Sequence, residues 1–372
     1  MPTPPSSVAT TAASSVRLTE LTSCGGCAAK WGAALLGDLV DAVGEGTGGA
    51  GAGLLVGLAP SDDAAVVRLA DGVALVSTID FFPPLVDDPD DYGASAAANA
   101  CSDVFAMGGD VVLALNVAAF PESLPAEAIR AVFRSAAAVV AEAGGVVAGG
   151  HTIRSEEPIF GLAVQGVLAP GREFTTGGAR PGDVLVLSKP LGTGLALAAG
   201  DDDARAAAIA GMRRLNREAA AALRTVAGTG AETGPSAQPG PGVGADGGRG
   251  AGGVHAVTDV TGFGLMGHAW EMAERSGAHV VLAAADLPVL PGVLAAAERG
   301  VRTGGDARNR AYVAGHATLA CGEAAAAVGF DPQTSGGLLA AVTPGAVDAL
   351  AAAGFVPVGH VGAGAPAVTL RG

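Results

Sequence analysis

The sequence predicts a protein of mixed α/β class with two domains. The chain has 372 residues, and at roughly 150 residues per domain this length corresponds to two domains. Apolar runs of strand length alternate with segments in which apolar residues recur at helical spacing, a pattern typical of α/β proteins. Hydrophobic residues make up 49% of the chain, so its 59 glycines belong to the loops of a folded protein.

The first domain is predicted to extend from residue 17 to residue 168. Short apolar runs indicate its strands, and Ala-rich or 3.6-periodic segments indicate its helices. The loop 149–158 is expected to connect the last two strands. The strands are predicted at 73–79, 111–120, 146–148 and 160–168, and the helices at 95–109 and 125–143.

The second domain is predicted to extend from residue 169 to residue 372 by the same criteria. Its strands are expected at 184–188, 254–258, 280–283 and 337–342, and its helices at 191–199, 204–226, 265–275 and 292–299. Three stretches without periodicity are predicted to be a disordered tail, a Gly-rich loop and a Gly/Pro-rich insertion, and they lie at 1–16, 44–53 and 228–253.

Charge and the targeting pattern exclude several functional classes. The 21 basic and 36 acidic residues give a net charge of −15, which disfavours binding to nucleic acid and to anionic membranes. A phosphate-bearing ligand would therefore need a cation. The N-terminus lacks the pattern of a secretory signal, and no apolar run is long enough to span a bilayer. We expect a cytoplasmic protein with free thiols.

The common nucleotide-binding and hydrolase motifs do not indicate a function for this chain. The pattern Gly-x-Gly-x-x-Gly occurs at 46–51 and 242–247, but neither match opens a helix after a strand, and the high glycine content makes chance matches common. A phosphate-binding loop needs Gly-Lys-Ser/Thr, whereas the two lysines follow Ala29 and Ser188. The zinc peptidase and serine hydrolase motifs are also absent from the sequence.

The segment from Cys24 to Lys30 is a candidate nucleophilic site. Cys24 and Cys27 form a Cys-x-x-Cys pair, but a structural zinc ion needs four ligands and the other two cysteines are isolated. Lys30, one of only two lysines, follows Cys27 by three residues. A nearby ammonium favours the thiolate, which is the nucleophilic form. A loop cysteine beside a solvated lysine is the alternative.

Several acidic residues are expected where apolar strands meet loops. Ligands of α/β proteins commonly bind at such strand ends. A helical spacing of four also places Asn99 and Asp103 on one face of the predicted helix 95–109. Singly, each acid is explained by a cap or a turn; together they form an oxygen-ligand set suited to Mg²⁺ carrying a polyphosphate. The acids at predicted strand ends are Asp62, Asp63, Asp80 and Asp259.

Two glycine-rich segments are candidates for binding an anion. Gly149, Gly150 and His151 follow a predicted strand, and such a glycine pair lets backbone N–H groups approach an anion. The segment 331–337, Asp-Pro-Gln-Thr-Ser-Gly-Gly, precedes another predicted strand. For both segments a tight turn is an equally good interpretation.

Eight collinear blocks of sequence resemble the selenophosphate synthetase family, whose members are also called selenide, water dikinases. This family belongs to the superfamily of aminoimidazole ribonucleotide synthetase and thiamine-monophosphate kinase. The resemblance extends from Arg17 to the C-terminus, and it implies the two-domain fold of that superfamily with a flexible Gly-rich N-terminal segment. The blocks are LTSCGGCAAK, SDDAAV, STIDFFPPLVDDP, ANACSDVFAMGGD, AGGHTIRSEEPIFGL, LSKPLGTG, VTDVTGFGLMGHAWEM and DPQTSGGLL.

The resemblance implies the reaction ATP + selenide + water → selenophosphate + AMP + phosphate. It also implies a requirement for Mg²⁺, a requirement for a monovalent cation such as K⁺, a homodimer formed through the N-terminal domain, and a selenium-delivery protein as a further partner. The family's catalytic residues correspond to Cys27 and Lys30. Its Mg²⁺ ligands correspond to Asp63, Asp103 and Asp259, and its ATP contacts to Lys30, Pro60, Ser61, Asp62, Asp80, Asp103, Gly149, Gly150 and His151.

The chain departs from the family pattern beside the catalytic cysteine. Members often carry a second cysteine two residues after it, where this chain has Ala29, and Cys24 is an additional cysteine. A reversible disulfide between Cys24 and Cys27 is one hypothesis for its role. Two other functions remain open at this point. One is an ATP-dependent kinase or synthetase of the same superfamily that releases ADP, and the other is a noncatalytic nucleotide-binding regulator.

Overall fold

A computed structural model describes residues 16–23, 25, 26, 39, 40, 42, 43, 53–58, 61–228 and 252–372. The predictions for the N-terminal tail, the Gly-rich loop and the insertion concern residues that lie almost entirely outside these ranges. No helix in the described ranges combines the length and the apolar character that a membrane span requires.

The N-terminal half forms a mixed sheet with two helices on one face. Its strand order is β1-β2-β3-β6-β4-β5; β4 and β5 run parallel, and the other neighbours are antiparallel. Helix α1 begins after Asp88, whose carboxylate accepts hydrogen bonds from the N–H groups of Asp90 and Asp91. The elements are β1 (Leu54–Val56), β2 (Ala65–Ala70), β3 (Val73–Phe82), α1 (Pro89–Ala106), β4 (Asp110–Phe120), α2 (Ala126–Glu142), β5 (Val146–Arg154) and β6 (Ile159–Leu168).

The C-terminal half forms a second mixed sheet in the order β10-β13-β9-β12-β7-β11-β8. Strand β11, which lies next to the edge strand β8, consists of buried apolar residues and pairs with β7 and β8 in antiparallel register. The elements are β7 (Val184–Leu187), α3 (Thr193–Ala199), α4 (Asp202–Arg213), α5 (Arg217–Val226), β8 (Val254–Asp259), α6 (Gly264–Ser276), β9 (His279–Ala283), α7 (Val293–Glu298), α8 (Asp306–Tyr312), β10 (Ala317–Ala320), α9 (Glu323–Phe330), β11 (Leu338–Val342), α10 (Val347–Ala352), β12 (Val356–Gly362) and β13 (Ala367–Arg371).

Helix α1 lies between the two halves of the molecule. It packs on β3 and β6 of the first sheet and also on α4 and β8. Helix α1 also approaches α2 closely at Gly93, where a Cβ atom would lie 2.2 Å from the carbonyl oxygen of Val132. Between residues 92 and 106, all of which the structure describes, only Asp103 is not fully buried. The helix therefore carries its polar side chains into the junction of the two halves.

The structure confirms most predicted elements and corrects three of them. Strand β3 continues to Phe82, so Asp80 lies inside a strand rather than at its end. Strand β5 continues to Arg154, so Gly149–His151 lies in a strand and not in a loop. The predicted helix 204–226 is two helices separated at Arg214–Asn216. The sequence predictions gave no bounds for β1, β2, β10, β12, β13, α8, α9 or α10.

Candidate active site

Buried aspartates meet where α1, β8 and the turn before β2 come together. Asp259 is the last residue of β8, and the preceding Thr258 donates its hydroxyl to Asp63 Oδ1 at 2.9 Å. Burial raises the pKa of Asp63 well above its ordinary value, and the negative charges of Asp259, Asp62 and Asp103 raise it further. The three aspartates that the sequence resemblance assigns to Mg²⁺ are therefore electrostatic neighbours.

The chemistry of this group fits a cation that carries further ligands of its own. Asp63 Oδ2 is inaccessible to solvent and has no hydrogen-bond partner among the described residues. Within the same ranges, no three His, Cys, Asp or Glu side chains converge closely enough to hold a metal ion by themselves. Mg²⁺ is commonly held by one or two carboxylates together with water and substrate phosphates. The aspartates present fit that mode of binding and do not form a closed all-protein site.

The carboxylate of Asp62 is already engaged by the protein. It accepts hydrogen bonds from the backbone N–H of Thr176 at 3.1 Å, from the Thr176 hydroxyl at 2.8 Å and from the N–H of Asp63 at 3.0 Å. The adjacent Ser61 hydroxyl accepts a hydrogen bond of 3.1 Å from the guanidinium of Arg275. Two neighbouring aspartates thus differ in environment, because Asp62 anchors the turn and Asp63 faces the other acids.

Strand β3 presents two polar side chains to helix α1. The hydroxyl of Thr78 donates to Asp103 Oδ2 at 2.5 Å, and the side-chain amide of Asn99 donates to Asp80 Oδ2. Residues two apart on a strand share a face, and residues four apart on a helix do so as well. The predicted common face of Asn99 and Asp103 is confirmed, and β3 supplies its partners.

The segment 331–337 is a buried connection between α9 and β11. Asp331 Oδ2 accepts hydrogen bonds from the N–H of Leu195 and from the Gln333 amide, both at 3.1 Å. Gln333 Oε1 in turn accepts the N–H groups of Gly192 and Thr193. Burial raises the pKa of Asp331 to about 7. These contacts favour the tight-turn interpretation, because both polar side chains bind protein backbone.

Lys189 is a buried polar residue whose position the sequence did not predict. Its Nζ donates to the carbonyl oxygens of Ser335 at 2.8 Å and Arg214 at 2.5 Å. Burial, and then the charge of Arg214, lower its pKa to about 7, while the charge of Asp259 acts in the opposite direction. The only sequence signal was the scarcity of lysine. Lys189 stabilises the segment 331–337 beside the buried aspartates.

Gly149, Gly150 and His151 are not brought to the aspartates within one chain. They lie on β5, the edge strand, which in the order β3-β6-β4-β5 is three strands from Asp80, or about 14 Å at the usual spacing. His151 is exposed and pairs with Val117, whereas Asp80 pairs with the buried Leu162. The exposed histidine and Asp80 therefore lie on opposite faces of the sheet.

Comparison with known proteins identifies the family. Residues 61–168 match the family described as AIR synthase related protein, N-terminal domain, and residues 245–368 match its C-terminal domain. The selenide, water dikinase of Myxococcus xanthus is 42% identical over 96% of this chain and 97% of its own length. That of Burkholderia ambifaria is 45% identical over 89% of this chain and 88% of its own length.

The chain belongs to the selenide, water dikinase family. Solved structures with the same fold are more distant in sequence. Thiamine monophosphate kinase from Aquifex aeolicus is 18% identical, with a TM-score of 0.60 over 90% of this chain and 96% of that one. The hydrogenase maturation protein HypE of E. coli is 20% identical, with a TM-score of 0.57 over 82% and 87% of the two chains. These likenesses show the fold alone.

The residues that the sequence resemblance assigns to catalysis fall in a segment next to described residues. Cys24, Cys27, Lys30 and Pro60 themselves lie outside the described residues. Gly26 precedes Cys27, and its N–H donates to the carbonyl oxygen of Pro83 at 2.9 Å. A Cβ atom at Gly26, which has a φ of +63°, would lie 2.8 Å from Thr334 Oγ1. The chain therefore enters the Cys27 segment directly beside the connection 331–337.

A cavity of about 540 Å³ adjoins this entry point. Ser23 and Gly25 from the N-terminal segment line it, together with Thr334 and the side chains of Arg302 and Arg308. Arg302 also donates to Glu323 at 3.1 Å, so its charge is partly neutralised. The cavity therefore lies at the point where the described part of the N-terminal segment meets the connection 331–337.

Proposed function

We propose that this protein is a selenophosphate synthetase that catalyses ATP + selenide + water → selenophosphate + AMP + phosphate. The observation that carries the proposal is the electrostatic grouping of Asp63, Asp103 and Asp259 in a chain 40–46% identical to selenide, water dikinases. Clustered buried carboxylates need countercharge, and an ATP–Mg²⁺ complex provides it. The γ-phosphoryl group goes to selenium and the remaining β-phosphoryl group goes to water.

The roles of the acidic residues follow from their surroundings. Asp63, Asp103 and Asp259 would hold Mg²⁺, which when bound supplies countercharge to the phosphate oxygens and aligns them for transfer. Asp80 contacts ATP from β3, and the turn at Pro60, Ser61 and Asp62 contacts it through groups other than the engaged Asp62 carboxylate. Within the group, Thr258 donates to Asp63 and Thr78 donates to Asp103, which orients one oxygen of each carboxylate.

The roles of Cys27 and Lys30 rest on the family resemblance and on the packing of Gly26. Lys30 neutralises charge on the transferring phosphoryl group, and Cys27 holds or delivers selenium. The contacts of Gly26 with Pro83 and Thr334 support these roles, because they place the residue before Cys27 beside the connection 331–337. We propose K⁺ as a further requirement, a cytoplasmic location and a selenium-delivery protein on the same grounds.

We propose that two copies associate through the outer face of the N-terminal sheet. Ile79 and Leu115 flank Ala163 on neighbouring strands, and they are 56% and 38% exposed. Phe81 is 48% exposed next to Gly161. An apolar face of this kind supports an interaction surface, and burial in a homodimer would cover β5 with Gly149–His151 as well. The proposed domain boundary at residues 168 and 169 is supported by the end of β6 at Leu168.

Sedimentation velocity tests the dimer. Leu115→Asp places a charge in the middle of this face and is expected to give monomers. The matched control is Leu319→Asp, because Leu319 is 41% exposed on β10 of the other sheet. A dimer that survives Leu115→Asp as well as the control would contradict the proposed interface.

The nucleotide product tests the function against its main alternative. Anaerobic incubation with ATP, Mg²⁺, K⁺ and selenide, followed by chromatography of the nucleotides, is expected to show AMP that forms only with selenide. A kinase or synthetase of the same superfamily acting on another substrate would release ADP. A noncatalytic regulator would bind ATP and release neither product.

A further inference from the structure

The amide of Asn99 joins a proposed ATP contact to the connection 331–337. Asn99 lies in α1, is fully buried, and donates its Nδ2 to Asp80 Oδ2. Its Oδ1 accepts the backbone N–H of Ser335 at 2.7 Å. One side chain thus contacts β3 of the first sheet and a segment 236 residues further along the chain.

The chemistry of the two partners fixes the orientation of this amide. The backbone N–H of Ser335 only donates, so the oxygen of Asn99 must face it. The Asp80 carboxylate accepts, so the nitrogen of Asn99 must face that side. Rotation of the amide by 180° would place its nitrogen against the N–H of Ser335, donor against donor. It would also place its oxygen against the Asp80 carboxylate, acceptor against acceptor. Asparagine is the residue of this length that satisfies both partners.

The backbone at Ser335, which the Asn99 amide contacts, is held by hydrogen bonds from two other side chains. Lys189 Nζ donates to the carbonyl oxygen of Ser335 at 2.8 Å, and Asn216 Nδ2 donates to the carbonyl oxygen of Gly336 at 2.8 Å. Ser335 has a φ of +50°, a conformation that non-glycine residues rarely adopt and that these bonds help to hold. The anchor is therefore rigid, and the half-buried carboxylate of Asp80 is the group that the amide orients.

We propose that Asn99 is a positioning residue that holds the Asp80 carboxylate in the orientation in which it contacts ATP. This inference rests on the proposed function, because it requires Asp80 to contact the nucleotide. The connection 331–337 is then more than a packed turn, since its backbone fixes the amide that orients Asp80. Affinity for ATP depends through this amide on how closely α1 docks against the C-terminal half.

A double-mutant cycle on ATP binding tests the inference. The dissociation constant of Mg·ATP is measured by calorimetry, without selenide, for the wild type, Asn99→Ala, Asp80→Ala and the double variant. Loss of a hydrogen bond to a charged group is expected to weaken binding about tenfold in Asn99→Ala. The double variant is expected to bind no more weakly than Asp80→Ala, because Asn99 acts through Asp80.

Two further variants separate positioning from domain docking. Asn99→Asp keeps the acceptor for Ser335 and the shape of the side chain but sets a carboxylate against Asp80, so it is expected to weaken Mg·ATP binding at least as much as Asn99→Ala. Asn216→Ala removes the bonds to Gly336 and Ser102 and leaves Asp80 untouched. It is expected to lower the melting temperature while Mg·ATP binding weakens less than in Asn99→Asp, because Lys189 still holds the carbonyl oxygen of Ser335. Steady-state kinetics are expected to show a raised KM for ATP in Asn99→Asp, with kcat changed less.

The outcomes distinguish the inference from the function on which it rests. Unchanged Mg·ATP binding in Asp80→Ala would remove Asp80 from the proposed ATP contacts and with it the role of Asn99. Weakened binding in Asp80→Ala, with a further and independent loss in the double variant, would overturn the inference alone. Equal losses in Asn216→Ala and Asn99→Asp would also overturn it, because docking would then explain both. If Asn99→Ala fails to fold, the isosteric Asn99→Asp replaces it in the double-mutant cycle.

Discussion

Two fully buried ionisable side chains beside the connection 331–337 predict opposite effects of pH on stability below and above pH 7. Burial raises the pKa of Asp331 from 3.8 to about 7, although hydrogen bonds from Leu195 and Gln333 act in the opposite direction. Burial lowers the pKa of Lys189 from 10.5 to about 7. Each group is therefore neutral in the folded chain over a range of pH in which it is charged in the unfolded chain.

The direction of each effect follows from proton binding. Between about pH 4 and pH 7 the folded Asp331 keeps a proton that the unfolded one has lost. The free energy of unfolding then falls as pH rises, by about 4 kcal/mol over these three pH units. Between about pH 7 and pH 10 the unfolded Lys189 keeps a proton that the folded one has lost, so the free energy of unfolding rises at a similar rate.

Urea unfolding at pH values from 5 to 9, followed by circular dichroism, measures both effects. Asp331→Asn is expected to remove this contribution to the slope below pH 7. Lys189→Met is expected to remove the upward slope above pH 7, whatever its effect on absolute stability. A slope below pH 7 that is the same in Asp331→Asn and in the wild type would refute this reasoning.

Three further predictions follow from the site and its packing. Asp259→Asn is expected to weaken Mg·ATP binding by tenfold or more, measured by calorimetry, and unchanged binding would remove it from the Mg²⁺ ligands. Cys27→Ser is expected to abolish selenide-dependent AMP formation while ATP binding survives, and full turnover would exclude the thiol from the mechanism. Gly336→Ala would place a Cβ 2.0 Å from the carbonyl oxygen of Val260 and is expected to cost about 3 kcal/mol of stability in urea unfolding. Its control, Gly345→Ala, enters open space, and an equal loss there would contradict the steric explanation.

The sequence predicted the fold where local patterns determine structure. The apolar run of β4 and the periodic helix α2 were placed within two residues of their observed bounds. Strand β5 was missed over most of its length because it is exposed and glycine-rich, so neither alternation nor hydrophobicity indicated it. Parallel pairing with β4 forms this strand, and that pairing joins residues far apart in sequence.

The sequence predicted which acidic residues form the candidate site, but it did not predict which residues they contact. Helical spacing placed Asn99 and Asp103 on one face, which the structure confirms through Thr78 and Asp80. Asp62 and Asp63 are adjacent in sequence, and no local pattern distinguishes their environments. Their environments differ because Thr176, more than a hundred residues away, binds only the first. The contact of Ser335 with Asn99 is likewise a tertiary one, and no local pattern encodes it.

The most direct test of the proposed function is anaerobic ³¹P nuclear magnetic resonance of the purified protein with ATP, Mg²⁺, K⁺ and selenide, beside a control without selenide. The predicted result is selenide-dependent formation, in equal amounts, of AMP, phosphate and a selenium-bonded phosphorus species whose signal carries satellites from coupling to selenium. Formation of ADP alone, or of products that do not depend on selenide, would contradict the assignment.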